Sequence, residues 1–345
     1  MKNDTDINKK SMPRGIKIFL WVISVIIVLI LGICIWVFSP IGDVPPSKLL
    51  PSTAFSFFYL DIDSESPGLS ELITEVRNKV IDSESGSVKE KLADLAFSSI
   101  VPGHVVGVIT LEEGSDEPEL VFIAGMGKII RLLKLFSGPF DRVIFRGAAY
   151  EKEHEGGHSF KSLKTASGEK GPSAYTIIGN NLVIGTSLAA VKDSYKTFKE
   201  GPATDPACAY LTALLHQSSL QKDGFICVDN NEGDVSRIVQ LVEEKYAFAA
   251  FPSIDSVSTV IGNIGFFADE VKGEITFFCS NYDRLMDVRS DVKFIYGAMR
   301  RMFRASGINL KGDVRVEGNN IKFNFHITDF MNAIFPPSAS EQEDE

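Results

Sequence analysis

From Ile18 to Phe38 the chain reads IFLWVISVIIVLILGICIWVF, with no charged position. About 21 residues rising 1.5 Å each reach ~30 Å, one hydrocarbon thickness, and a backbone in lipid must satisfy its own hydrogen bonds as a helix. The pattern therefore predicts a transmembrane helix over 18–38. Trp21 and Trp36 fall near its ends, where amphipathic rings favour the interface. The run exceeds the ~7–15 residues of a cleaved signal core, and no A-x-A site follows. Leu31-Gly32-Ile33-Cys34 departs from a lipobox, because Ile33 stands where a small residue is needed. Beyond Phe38 no other apolar run approaches spanning length.

The rest alternates between the two periods of secondary structure. Residues 39–51 hold four prolines and predict an extended tether. AFSFFYLDID (54–63) reads as a strand. Leu69, Leu72, Ile73, Val76 and Val80 then recur at a helical period, which VKEKLADLAFSSI continues. Strands follow over HVVGVITLE and ELVFIAGM, then a short amphipathic helix at 128–136. RVIFRGAAYE, SFKSLKT, AYTIIGN and LVIGTS read as strands, the last two turning at Asn180-Asn181. Ser187 is a suitable N-cap for LAAVKDSYKTF. From Asp223 the order is a strand (GFICVDN), a helix opened by Asp234, a hairpin, a helix from Asn281 to Arg304, and a hairpin across Gly318-Asn319-Asn320.

These elements predict an α+β fold: antiparallel sheets with packed helices behind an N-terminal transmembrane helix. The expected organisation is a basic tail (1–17), the membrane helix (18–38), a Pro-rich tether (39–51), two α+β halves (52–220 and 221–335) and an acidic, disordered tail (336–345). Each half opens on an apolar strand ending in acid (YLDID; ICVDN) and closes on a strand pair around Asn-Asn, a weak internal duplication.

The phrases Leu50-Pro51-Ser52-Thr53-Ala54 and Ile178-Gly179-Asn180-Asn181-Leu182-Val183-Ile184-Gly185-Thr186-Ser187, behind an anchor and a Pro-rich exit, resemble a group of uncharacterised bacterial envelope proteins. The resemblance implies a membrane-tethered α+β ectodomain and transfers no catalytic residue.

Charge sets the orientation. Lys2, Lys9, Lys10, Arg14 and Lys17 precede the apolar run, so the N-terminus is expected in the cytoplasm and the ectodomain in the periplasm, across the inner membrane. Beyond the tail, 30 basic residues face 43 acidic ones, a net of −13 that opposes nucleic-acid binding.

Motifs for chemistry are sparse. His154 and His158 flank Gly156-Gly157, which breaks any helix that would bring them together on a metal; a solvated loop is the expectation. Gly125-Met126-Gly127 lacks the third glycine of a nucleotide turn, and no Walker or G-x-S-x-G pattern occurs. Cys227 and Cys279 lie in strand-like runs and would pair as a disulfide only if those strands are neighbours. In the 281–304 helix, Asp283, Asp287 and Asp291 precede Arg300, Arg301 and Arg304, in line with the helix dipole. Leu285, Val288, Val292, Ile295, Met299 and Met302 form the expected core stripe, and the arginines are candidate contacts for an anion or lipid headgroup. The 25 phenylalanines predict a Phe-rich core or an apolar cavity. The expectation is a non-enzymatic scaffold or accessory subunit of an envelope complex with a protein partner and no cofactor or metal; the alternative is a binding module for lipid or another apolar ligand.

Overall fold

A computed structural model describes residues 42–62, 102–111, 117–135, 148–163, 173–201, 206–218, 223–231, 233–239, 251–267 and 270–329, with isolated positions at 138, 141, 144 and 145. All fall within one unit, Gly42–Glu345. The predicted membrane helix, the basic tail, the helical run 69–100 and the acidic tail lie outside the described residues. Among those described, no helix is long and apolar enough to cross a membrane.

The fold is mixed and dominated by antiparallel sheet. Its strands are β1 (Ala54–Asp61), β2 (His104–Thr110), β3 (Glu119–Gly125), β4 (Tyr150–Glu155), β5 (His158–Leu163), β6 (Ala174–Ile178), β7 (Asn181–Gly185), β8 (Gly224–Asp229), β9 (Val257–Phe267), β10 (Glu270–Cys279), β11 (Asn309–Glu317) and β12 (Asn320–Thr328). They form one sheet in the order β11-β12-β10-β9-β8-β1-β2-β3-β7-β6-β5-β4. Among the described residues, helices α1 (Ile130–Leu135), α2 (Leu188–Glu200), α3 (Pro206–Ser218) and α4 (Leu285–Ala305) accompany them, and residues 234–239 are helical as well.

β1 and β8 meet at the centre. Phe58 pairs with Ile226, Phe57 with Cys227 and Tyr59 with Phe225, so the pairing reads alike from either strand. Outward from this seam each side runs through a hairpin, leaves through a helical segment, and returns to pair with the hairpin: β7 on β3, β12 on β10.

The two sides bury opposite faces. On the front face, Phe57, Tyr59, Val106, Val108, Ile123 and Phe160 pack with Ala190 and Val191 of α2 and Leu211 and Leu215 of α3. On the back face, Leu285, Val288 and Val292 of α4 pack with Val314, Ile321 and Phe323. The free edges are charged: β4 reads YEKEHE and is exposed throughout, which discourages edge-to-edge pairing.

Three expectations need correction. Residues 42–51 are no free tether. Pro46–Leu49 form a 3-10 turn, and Leu49 and Leu50 are fully buried in the front core. Proline fixes φ in a range this turn accepts, and burial of the two adjacent leucines contributes ~1.5–3 kcal/mol each. RVIFRGAAYE is not one strand: positions 141 and 144 are helical, Phe145 sits in a turn, and β4 begins at Tyr150. Phe145 is buried and stacked on Tyr150, ring centres 5.3 Å apart, so its apolar character serves packing rather than pairing. The turn before β7 is centred on Gly179-Asn180, with Gly179 at φ 60°, and Asn181 is already in the strand.

Candidate interaction surface

The Pro-rich exit folds against the second of the two phrases that carried the family resemblance. Asn180 accepts a hydrogen bond from Val44 N at 3.0 Å and donates to Asp43 at 2.7 Å. Asn181 is fully buried. Its amide donates to Val44 O at 2.8 Å, and its oxygen lies 3.1 Å from His104 Nε2. At the other end, the Asp193 carboxylate on α2 accepts from Ser52 N and Ser52 Oγ, each at 2.8 Å. Ser187 starts α2 as predicted, its Oγ accepting from Ala190 N at 3.0 Å. Residues 42–53 are thus clasped at both ends to the β6–β7 turn and α2.

His104 lies against Gly125, where an added Cβ would fall 2.3 Å from the imidazole. That close approach explains the first glycine of Gly125-Met126-Gly127 without a phosphate. Burial holds the His104 imidazole below its ordinary pKa; the Asn181 hydrogen bond, Asp43 and Asp61 offset this only in part.

His154 and His158 lie on opposite faces of the β4–β5 hairpin, His158 opposite Glu155 and His154 opposite Ser159. Gly156 and Gly157 make its tight turn, both at positive φ. His158 is 2.7 Å from Thr176 Oγ1 and stacks on Tyr195 at 4.2 Å. Burial also lowers its pKa, with Lys134 and Lys199 adding to the effect.

Buried Asp141 is the residue most like a catalytic acid. Lys161 Nζ reaches both its oxygens at 2.8 Å and the Tyr175 hydroxyl donates to it. Burial would raise its pKa, but these donors outweigh burial and hold it below the usual carboxylate range. A carboxylate so occupied is a structural ion pair, with Lys161 also over the Tyr150 and Tyr175 rings.

Cys227 and Cys279 are both free thiols. β9 separates β8 from β10, so they stand two strand spacings apart, ~9.6 Å, too far for a disulfide. Cys227 also packs in the front core and Cys279 against the back cluster. Burial, with Asp229 nearby, pushes the Cys227 thiol up to about 12, leaving it an inert core residue.

α4 is the surface with unspent chemistry. Asn281 Oδ1 accepts from Asp283 N at 3.0 Å and starts the helical run. Asp287 pairs with Arg284 at 2.8 Å, and Asp291 accepts from Ser253 N at 2.9 Å, so the aspartate row is divided between separate partners. Leu285, Val288 and Val292 bury as predicted, but Met302, at the helix end of the same stripe, is 61% exposed. Tyr282 (66% exposed), Met286 (56%) and Phe294 (53%) are further exposed apolar side chains along this run, and at 3.6 residues per turn Met286 and Phe294 point away from the core stripe. Arg300, Arg301 and Arg304 are exposed at the far end, and no described carboxylate pairs with them. From Lys293 to Arg304 there are four cations and no acid.

No known family and no curated protein matches the sequence. Among solved structures, crystal form III of TP0453 is similar at a TM-score of 0.43 and 12% identity, covering 83% of this chain and 95% of that chain. Crystal form IV of TP0453 gives 0.43 and 12%, covering 86% and 98%, and crystal form I gives 0.41 and 11%, covering 83% and 94%.

Proposed function

We propose that this chain is a single-pass, membrane-anchored extracytoplasmic scaffold or accessory subunit of a bacterial envelope complex, without an enzymatic activity of its own. The anchor is the apolar run Ile18–Phe38, the basic tail stays cytoplasmic, and the two sides of the sheet derive from an internal duplication. The observation that carries the scaffold reading is the set of large apolar side chains that α4 leaves exposed. One stripe of this helix packs on the sheet, while Met286 and Phe294 on its outer side and Met302 near its end are left to solvent. Exposed apolar side chains of this size supply contact area that a protein partner would bury.

A photo-crosslinking residue at Phe294, in intact cells, should give one adduct of defined mass, and the same residue at Tyr150 on the charged edge should not. F294E/M302E should abolish stoichiometric recovery of that partner from mild detergent. Recovery of the chain alone at monomer mass across several detergents would overturn the scaffold reading.

The arginines beside Met302 favour a second reading, in which this end of α4 contacts anionic headgroups. In that case the full chain's α4 would crosslink to lipid, and R300Q/R301Q/R304Q would remove the crosslink.

A further inference from the structure

On its front face the β9–β12 side of the sheet carries an open trough of about 760 Å³. α4 lies on the other face. The cross-strand row through Gly273, Phe325 and Gly312 lends its backbone to the floor. One wall is the neighbouring row Asn263, Glu274, Asn324 and Asp313, in register across four strands. The other is Lys272, His326 and Lys311, in register two residues further along. One wall is therefore acceptor-rich and the other carries Lys272 and Lys311, with Asp223 at its Gly265 end, where the carboxylate accepts from Phe266 N at 3.3 Å. Two residues along a strand set them about 7 Å apart.

The charges are braced from behind. Lys272 pairs with Glu270 at 2.6 Å, outside the trough, and lies over Phe267 at 5.1 Å. His326 Nε2 is 3.0 Å from the same Glu270. Glu274 leans to Lys322 at 3.6 Å, and Asp313 pairs with Arg315, both beyond the acidic wall. No ion pair among the described residues closes across the trough. Lys311 has no described acid partner. Gly265 leaves the cationic wall low at one end, where an added Cβ would crowd the Phe267 ring at 3.1 Å. An ordinary solvent face would let lysine and glutamate neighbours pair directly; here they pair outward and leave a charge-separated slot.

We propose that this trough binds a small zwitterion, its ammonium toward Glu274 and Asp313 and its anionic group toward Lys311 and Lys272. An extended dipeptide spans at most about 7 Å, matching the wall separation, and an ethanolamine phosphate carries the same pair of charges. A peptide terminus and a lipid headgroup are thus two sources of one chemistry. The site is separate from α4 and does not depend on the scaffold reading.

The full chain in non-ionic detergent is titrated calorimetrically with alanyl-alanine and with phosphoethanolamine, using ethanolamine and inorganic phosphate as single-charge controls. At least one zwitterion should bind saturably, and each control at least tenfold more weakly. The tighter zwitterion identifies the source. E274Q/D313N and, separately, K311Q should each weaken binding at least tenfold without changing the melting temperature, because these side chains are solvent-facing; K311Q breaks no described ion pair. Partner recovery through α4 should be unchanged. Binding of neither zwitterion, equal binding of a single-charge control, or indifference to both wall variants overturns the proposal.

Discussion

Replacing Asn181 by alanine tests whether the clasp holds residues 42–53 in place. The side chain is fully buried, donates to Val44 O at 2.8 Å and faces His104 Nε2 at 3.1 Å. Deleting it removes three net hydrogen bonds of about 1 kcal/mol each, to Val44 O, His104 and Asn180 Oδ1, for a total of about 2–4 kcal/mol. Against a typical 5–15 kcal/mol of stability that loss is large. Val44 N–H is the local reporter, since its acceptor is Asn180 Oδ1, itself steadied by the Asn181 amide at 3.1 Å. At 1.4 kcal/mol per tenfold, 2 kcal/mol of local opening accelerates hydrogen exchange roughly 30-fold. Exchange mass spectrometry of the full chain should show this in peptides covering 42–50, with β9–β10 little changed. N181D gives a second arm: its carboxylate favours a protonated His104 but loses the donor to Val44 O, so its deficit should shrink as pH falls. If N181A exchanges like wild type over 42–50, the clasp contributes nothing and the reasoning fails.

Two further outcomes follow from other contacts. His104 and His158 both have pKa values lowered by folding, so the unfolded chain binds more protons just below its own value of about 6.5. Stability should be level above that pH, fall as pH drops through it, and level off below the folded values; melts between pH 7.5 and 5 should show this slope, and H104Q/H158Q should flatten it. At Gly107 a Cβ would land 2.0 Å from the Phe58 ring, so G107A should cost about 1–3 kcal/mol, while G107A/F58A should be no less stable than F58A alone. Equal losses from G107A with and without Phe58 would show that the ring is not the cause.

Most strands were readable because alternation survives wherever one face is buried: β1, β8 and the hairpins β9–β10 and β11–β12 fall where the pattern places them. Ser187 and Asn281 were readable as helix starts because a cap is a local hydrogen bond. Long-range competition hid the rest. Prolines 45, 46 and 51 speak locally for an extended chain, while the sheet core takes Leu49 and Leu50. α3 goes unread because ACAYLTALLHQ shows weak apolar periodicity, yet Leu211 and Leu215 are fully buried. The phenylalanines are partly explained by glycine: Phe58 lies over Gly107, Phe325 over Gly273 and Phe323 over Gly312. Each glycine lets a ring from the adjacent strand lie flat, which single-strand patterns cannot show. The zwitterion trough was invisible for a related reason, since its walls assemble from four strands in register.

The clasped segment also gives the fold a mechanical order of failure. Tension arriving through the residues before Gly42 meets the Asp43–Asn180 and Val44–Asn180 bonds first, then the buried leucines, and last the Ser52–Asp193 bonds ahead of β1. These bonds would be peeled in sequence, each carrying the load alone, whereas β1 is held between two neighbouring strands at once. Releasing 42–53 would pay out about 40 Å of chain before the central strand is pulled. The strap would then act as a fuse, lengthening under load while the sheet keeps its register.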